Sequence, residues 1–333
     1  MKTNTDEQAV LRWLKRRRRI LLLSHERPDG DALGSLCGTL IALHRAGICA
    51  SAYLSAELPN RYKSLFAVPA DLCLAKCPGG DFDGILCLDT TDWKRLDIPG
   101  PFQGEKGSIS VCQIDHHPDN ELFGDVNWVE PGKAATAQMV AQLFRIWPQQ
   151  LTVDALTCLL AGILADTGGL RFGNTDSTVL AEVAQLVANG APYKTVIDTL
   201  FLTFPYERLL LESWLIQSAQ FALNRRLVYA VLTPEMLDEC RVTPDDTEGL
   251  VDRLKMIDGA VVVCLLQPEK AGVRLSLRSR DASVPVNRLA QAFGGGGHTM
   301  AAGARLENVD VEQAVTLLIS MAQESLMDEH RNR

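Results

Sequence analysis

The stretch Asp115-His116-His117 closes the apolar run Ser110-Val111-Cys112-Gln113-Ile114 and sets imidazoles beside a carboxylate at the end of a candidate strand. Of the six histidines in the chain, four fall in segments with chemistry to offer: His25, His116, His117 and His298. His25 opens a second such segment, His25-x3-Asp29-x-Asp31, in which His25, Asp29 and Asp31 set three ligand-type side chains within seven residues. Mixed imidazole and carboxylate donors suit a hard or borderline divalent cation. On an extended segment, Asp29 and Asp31 would share one side because side chains alternate. The plain alternative is a Pro-Asp-Gly turn followed by an Asp helix cap. Asp89, His116 and Asp166 each sit at the expected end of a strand or helix. Four separate segments then supply donors to one place, which favours the metal reading over the turn.

Charge counting extends it. His25, Asp29, Asp31, Asp89, His116 and Asp166 offer two neutral imidazoles and four carboxylates, which balance two divalent cations. Two ions about 3.5–4 Å apart activate a bound water and stabilise the attacking and leaving oxygens of a phosphoryl displacement. The donor mix favours Mn²⁺ over a metal that prefers thiolates.

Positioning these residues falls to an α/β fold. Strands are expected at 20–24, 49–54, 84–88 and 109–114, alternating with helical patterns such as 33–46 and 153–165, which is the signature of a parallel sheet with crossover helices. Ligands of such sheets bind beyond the carboxyl ends of the strands, where His25, Asp89 and Asp115-His116-His117 lie. The second helix delivers Asp166 at its end, and Gly168 and Gly169 permit the turn that follows. The division expected is a catalytic metal-binding domain at 1–190, a helical linker at 191–223 with a long helix at 206–223, and a smaller α/β domain at 224–333. In that last part, strands are expected at 227–232, 260–266 and 272–280, a helix opened by Asp245-Asp246-Thr247-Glu248, and a final helix at 311–326.

Composition sets the class. The chain has 333 residues, 47% hydrophobic and 22% charged, enough for two globular domains. No apolar run approaches the roughly 20 residues that span a bilayer, and the polar N-terminus lacks the core of a signal peptide, so a cytoplasmic protein is expected. Nine cysteines are scattered mostly through apolar segments, and the one close pair, Cys73 and Cys77, has no second pair to complete a zinc site; reduced core thiols are the expectation. A net charge of −8 repels long polyanions, so a nucleic-acid substrate should be short or held in a local basic pocket. The basic run Lys15-Arg16-Arg17-Arg18-Arg19 is read as a solvated helix face rather than a nucleic-acid contact.

Two further motifs lie in the second half. Val273-Arg274-Leu275-Ser276-Leu277-Arg278-Ser279-Arg280 alternates, with Arg274, Ser276, Arg278 and Arg280 on one face. Phe293-Gly294-Gly295-Gly296-Gly297-His298 reads as a loop whose backbone N–H groups can approach an anion, and the small residues 299–304 after it read as a helix start.

Ser24-His25-x2-Pro28-Asp29-Gly30-Asp31-Ala32-x-Gly34-Ser35, Leu88-Asp89, Asp115-His116-His117 and Gly162-Ile163-Leu164-Ala165-Asp166-Thr167-Gly168 together resemble the four motifs of the DHH phosphoesterase superfamily, which includes the RecJ exonucleases and manganese pyrophosphatases. Ser-Leu-Arg-Ser-Arg and Gly-Gly-Gly-Gly-His-x2-Ala-Ala-Gly resemble the nucleotide-binding domain that accompanies DHH domains in the oligoribonuclease and nucleotide-phosphatase branch. The resemblance spans nearly the whole chain. It implies that His25 and Asp29 bind one metal, that Asp31, His116 and Asp166 bind the second, and that Asp89 bridges. It places His117 near the water and substrate as a catalytic residue, with Asp92 and Asp115 in supporting roles. It implies that Arg278 and His298 grip the phosphate or nucleotide end of the substrate, with Gly296 and Gly297 beside them and Arg280 a weaker candidate. Manganese pyrophosphatases carry a different second domain and the RecJ nuclease usually an additional one, so neither fits. The activity implied is metal-dependent hydrolysis of very short single-stranded RNA and dinucleotides to mononucleotides, with the nucleotide bisphosphate 3′-phosphoadenosine 5′-phosphate as a further candidate substrate. The alternative is a phosphodiesterase for cyclic dinucleotides or their linear products. Neither long duplex nucleic acid nor a membrane is an expected partner; a homodimer is a candidate assembly.

Overall fold

The computed structural model describes residues 3–331 except 59–61, 67, 69–72, 76–80, 99–108, 148–149, 244–246 and 248. The chain divides into two compact units, Met1–Thr203 and Phe204–Arg333.

The first unit is built on six parallel strands: β1 (Arg19–Leu23), β2 (Cys49–Tyr53), β3 (Cys73–Ala75), β4 (Gly84–Leu88), β5 (Ser110–Asp115) and β6 (Val126–Val129), in the order β3-β2-β1-β4-β5-β6. Chain order reverses beside β1, which opens a crevice at the carboxyl ends of β1 and β4. Alternate residues of β1 go to opposite faces. Ile20 and Leu22 join a core with α1 (Glu7–Lys15), α2 (Gly30–Arg45), α3 (Thr136–Arg145) and α4 (Val153–Asp166). Leu21 and Leu23 pack with Tyr53, Phe82, Leu96 and Phe123 on the other face. Burial on both faces is what a continuous Ile-Leu-Leu-Leu run requires. The sequence reading missed β3 and β6. β3 has only three residues, and β6 carries Asn127, a poor strand former, buried because its amide bonds the backbone of Gly124.

The contact that sets the site is between α2 and α4. A Cβ on Gly34 would lie 2.6 Å from the Cys158 carbonyl oxygen and 2.8 Å from the Gly162 backbone, and one on Gly30 would lie 2.4 Å from the Ala165 Cβ. The two helices therefore run antiparallel with backbones nearly touching, and the start of α2 meets the end of α4.

The segment expected as one linker divides between the units. Ala191, Val196 and Leu200, the last two in α6 (Tyr193–Ile197) and the π-turn after it, lie in the core of the first unit with α5 (Ser177–Ala188). The expected long helix at 206–223 stops as α7 (Tyr206–Gln217), whose Leu211 and Leu215 are buried in the second unit, and β7 (Gln220–Ala222) follows. The basic run also departs from a helix face, since only Lys15 is helical. The Arg17 guanidinium stacks 5.0 Å from the Trp13 ring centre and that of Arg19 5.3 Å from Phe82, while the Asp83 carboxylate accepts the amides of Arg18 and Arg19. The run anchors the amino end of β1, the end away from His25.

The second unit holds β7, β8 (Leu227–Val231), β9 (Val262–Glu269), β10 (Gly272–Ser279), β11 (Gly296–His298) and β12 (Ala301–Glu307) in the order β11-β12-β10-β9-β8-β7, with β8 and β9 parallel and the other neighbours antiparallel. α10 (Val286–Ala292) and α11 (Val311–Arg331) cover one face. α7, α8 (Pro234–Cys240) and α9 (Leu250–Leu254) cover Val228, Ala230, Val263 and Leu265 on the other. The helix expected to open at 245–248 begins at Leu250, and Asp245, Asp246 and Glu248 lie outside the described residues. The helix start expected at 299–304 is instead a turn leading into β12. The small residues there serve a tight hairpin, because a Cβ on Gly295 would lie 2.1 Å from the Gly303 carbonyl oxygen. No described helix is long and apolar enough to cross a membrane. Cys37, Cys87, Cys112, Cys158, Cys240 and Cys264 are buried free thiols, and Cys77 lies outside the described residues.

Gly34→Ala should push α2 from α4 and lower the melting temperature by roughly 2–10 °C, the range expected for overpacking a core of this size. Gly173→Ala is the control, since nothing lies within 4 Å of a Cβ at that position. Thermal unfolding of both variants checks the expectation.

Candidate metal centre

Each donor is placed by its own local device. His25 follows β1, where Ser24 donates to the Leu88 carbonyl at 2.9 Å and ties the ends of β1 and β4 together. Its Nδ1 lies 2.8 Å from the Glu26 carbonyl. Asp29 caps α2, its Oδ1 accepting the amides of Asp31 and Ala32. Asp29 and Asp31 are thus the cap and first turn of a helix, not neighbours on an extended segment, and the turn-and-cap alternative coexists with the cluster. Asp89 follows β4 in the left-handed region, φ +57°, which an aspartate tolerates better than most residues. His116 follows β5 with Nδ1 3.1 Å from the Lys133 carbonyl. Asp166 is the last residue of α4.

Asp31 is 1% exposed and satisfied from far along the chain. Its Oδ2 accepts the Thr136 amide at 2.6 Å and its Oδ1 the Ala137 amide at 2.9 Å. These are the first amides of α3, whose own cap residue, Ala135, has no side chain to offer them. A carboxylate at a helix N-terminus is stabilised by those N–H groups and by the helix dipole. The Thr136 hydroxyl also donates to Asp89 Oδ1 at 2.9 Å.

Four carboxylates close together strain against ionisation. Burial, followed by the charges of Asp89, Asp166 and Asp29, pushes the Asp31 carboxyl well above its ordinary value. Burial also raises Asp89, and raises Asp166 to about 6. Asp29 ends below its ordinary value, because His25, His117 and two amides outweigh desolvation. A carbonyl only accepts, so His25 and His116 carry their proton on Nδ1 and turn Nε2 inward. His116 Nε2 then lies 3.8 Å from Asp31 Oδ2, 3.6 Å from Asp89 Oδ1 and 3.7 Å from Asp166 Oδ2, while His25 Nε2 lies 3.9 Å from Asp89 Oδ2. These spacings are too long for hydrogen bonds. Nitrogens and carboxylate oxygens spaced in this way leave room for a cation between them. Two of the resulting groups, His25/Asp29/Asp89 and Asp31/His116/Asp166, could each hold one ion. Asp89 turns one oxygen toward each group.

His117 sits beside these groups. Its Nδ1 bonds Asp115 Oδ1 at 2.8 Å, and Asn120 donates to Asp115 Oδ2 at 2.6 Å. Desolvation would lower the imidazole, but Asp115, by hydrogen bond and charge, outweighs it and raises His117 to about 10. Asp92 takes no part in the donor groups; it caps a short turn at Trp93–Arg95.

In the second unit, Arg278 on β10 pairs with Ala301 on β12, which pairs with His298 on β11. Directly opposed residues share a face. The next row is Ser276, Gly303 and Gly296. Arg278 and His298 therefore stand on either side of a floor made of Ala301, Gly303 and Gly296, which has almost no side chains. Gly297 faces the other way, and a Cβ there would lie 2.7 Å from the Ala301 carbonyl oxygen. The tetraglycine run is not an open loop: the amides of Gly294 and Gly295 bond carbonyls of α10, and Gly296–His298 is a strand. Arg280 is exposed, with Nη1 3.3 Å from the Ile257 carbonyl.

Comparison with known proteins matches residues 19–163 to the DHH family, N-terminal domain, and residues 224–328 to the DHHA1 domain. A Thermus thermophilus protein named bifunctional oligoribonuclease and PAP phosphatase NrnA is 34% identical over 92% of this chain and 90% of its own. The chain belongs to the DHH family. A Bacillus subtilis protein of the same name is 26% identical over 93% of this DHH protein and 95% of its own length. Among solved structures, an exopolyphosphatase-related protein from Bacteroides fragilis superposes with a TM-score of 0.84 at 23% identity, covering 96% of this chain and 95% of that one. RecJ from Thermus thermophilus gives 0.58 at 14%, covering 96% of this chain and 54% of that one. These two likenesses speak to the fold. As a DHH phosphoesterase the chain is a metal-dependent enzyme.

Sequence reasoning missed Thr136, the Lys133 carbonyl, Ser35 and Asn120 in this DHH protein. The first three bond a candidate donor, Ser35 donating to Asp31 Oδ1 at 3.3 Å, whereas Asn120 bonds Asp115, the partner of His117; only an uncapped Ala135-Thr136 helix start hinted that α3 needed a carboxylate from elsewhere.

Raised carboxyls make the metal-free protein bind more protons folded than unfolded, so its stability should fall as pH rises through about 6, the value for Asp166. His117 works in the same direction above its unfolded value, while the lowered Asp29 and Asp115 matter only in stronger acid. Mn²⁺ should therefore raise the melting temperature strongly at pH 7.5 and little at pH 5. Thermal scans with and without Mn²⁺ across that range check it; a larger effect at pH 5 would contradict the assigned cluster.

Proposed function

We propose that this enzyme hydrolyses short oligoribonucleotides to mononucleotides, and 3′-phosphoadenosine 5′-phosphate to AMP, with two divalent ions, Mn²⁺ by preference. The observation that carries the reading is Asp89, one oxygen toward His25 at 3.9 Å and the other toward His116 at 3.6 Å. The assignment that follows has His25 and Asp29 on one ion, Asp31, His116 and Asp166 on the other, and Asp89 on both. The names of relatives aligned over nine-tenths or more of both chains support the substrate class.

When bound, the ions would lower the pKa of a water and draw charge from the attacking and leaving oxygens. The chain's own residues prepare for this. The α3 amides hold Asp31 in one orientation, and Thr136 does the same for Asp89. Asp115 holds His117 by Nδ1, so that the imidazole would be oriented to serve as a proton donor to a phosphoryl or leaving oxygen. Arg278 and His298 would take the substrate's phosphate, with the bare floor between them letting the nucleotide lie close to the backbone.

Side-by-side turnover of RNA dinucleotides to pentanucleotides, a long RNA, the bisphosphate and cyclic dinucleotides in Mn²⁺ tests the proposal. The short linear RNAs and the bisphosphate should be hydrolysed with the highest kcat/KM, and Asp89→Ala should abolish turnover while remaining folded. A preference for cyclic dinucleotides, or equal digestion of long RNA, would replace this reading. His298→Ala should raise KM or lower kcat/KM while bound metal, measured on the same protein, stays unchanged. Joint loss of metal and activity would make His298 a ligand.

A further inference from the structure

An arginine on a strand face grips phosphate well only when its guanidinium is held, because its long side chain otherwise samples many rotamers. Arg278 is held. Its Nε donates to Asp252 Oδ1 at 3.2 Å and its Nη1 to the Leu277 carbonyl at 3.0 Å. Neither contact uses Nη2, so the Nη1–Nη2 edge can meet a phosphate end-on as a two-pronged donor.

Asp252 belongs to α9, which at five residues is too short to be stable by itself. Leu250, Val251 and Leu254 bury its apolar side. Its polar side is fixed by the next residue, Arg253, whose Nε lies 2.9 Å from Glu212 Oε1 on α7. The other oxygen of Glu212 lies 3.5 Å from Nη1 of Arg208, which is buried. Both guanidiniums also pack on Phe204, at 5.4 Å for Arg208 and 5.8 Å for Arg253 from the ring centre. The line runs from Phe204, just ahead of α7, and Arg208 and Glu212 on α7, through Arg253, to Asp252 and so to Arg278.

We infer that Asp252 is a positioning residue that sets the Arg278 guanidinium for the substrate's phosphate. The inference rests on the reading that Arg278 contacts that phosphate. A carboxylate beside an anion site repels the ligand, so its placement on Nε, away from the Nη1–Nη2 edge, is what makes orientation outweigh repulsion. Sequence inspection offers no sign of Asp252, which lies 26 residues from its partner.

Steady-state kinetics on a 5′-phosphorylated RNA dinucleotide in Mn²⁺ test this with Asp252→Ala, Asp252→Asn, Asp252→Glu, Arg278→Ala and the double variant Asp252→Ala/Arg278→Ala. Asp252→Ala should raise KM about three- to tenfold, the scale of one hydrogen bond in a half-exposed setting, and leave kcat within about twofold. Asp252→Glu should recover part of the loss. In the Arg278→Ala background, Asp252→Ala should add nothing, because its effect passes through the guanidinium. Melting temperature and metal content separate these effects from unfolding. If Asp252→Ala melts early, the isosteric Asp252→Asn carries the comparison, with a smaller rise in KM expected. Unchanged or lowered KM in both Asp252 variants, beside a raised KM in Arg278→Ala, overturns the positioning role alone. An undiminished Asp252→Ala effect in the Arg278→Ala background overturns it also. Wild-type KM in Arg278→Ala removes the phosphate contact itself, and the inference with it.

Discussion

The Asp31 carboxylate, buried against the first amides of α3, is the contact on which the first unit depends. It joins two segments that share no sequence proximity, since Thr136 lies 105 residues after it. An acid buried this deeply is costly unless its oxygens are bonded, and α3 cannot cap itself because Ala135 stands at its cap. Each deficit answers the other. The same contact brings Thr136 within reach of Asp89, so one helix start orients two of the four carboxylates.

The α2–α4 approach makes this geometry possible. Gly30, Gly34 and Gly38 lie along one side of α2, and Gly34 and Gly162 let the backbones meet. Larger residues there would carry Asp166 away from Asp31 and His116, and a cluster needing donors within a few ångströms of one another would be lost. The glycine stripe is therefore part of what assembles the candidate metal centre, without contributing a donor. The repulsion among the carboxylates is the other side of the design. Together with burial, the larger cause, it raises the carboxyls of Asp31, Asp89 and Asp166 and leaves the metal-free site short of positive charge, which divalent ions would supply.

The second unit solves a different problem in a similar way. The chain's net charge of −8 disfavours anionic ligands at large, so local attraction has to come from a few placed groups. A β-hairpin of glycine and alanine lays a floor without side chains, and Arg278 and His298 rise on either side of it. The Arg278 guanidinium is in turn bonded by Asp252 on α9, whose neighbour Arg253 pairs with Glu212 on α7.

Periodicity and residue chemistry determined a good deal alone. The apolar runs ending in His25, Asp89 and Asp115-His116-His117 became β1, β4 and β5 with the donors just beyond their carboxyl ends, because strand length and polarity are local properties. The alternation of Arg274, Ser276 and Arg278 survived for the same reason. Tertiary structure alone decided what holds the candidate donors in place. Asp29 and Asp31 lie on a helix start, where the sequence pattern suggested an extended run, because the turn and cap chemistry of Pro28-Asp29-Gly30 prevails locally. The small residues after His298 became β12 because Gly295 and Gly303 pack backbone to backbone. The Lys133 carbonyl and Asp252 carried no signal, and Thr136 only that of a helix start without a cap, since each works through a partner distant in sequence, and a hydrogen bond between remote residues leaves no periodic trace in either of them.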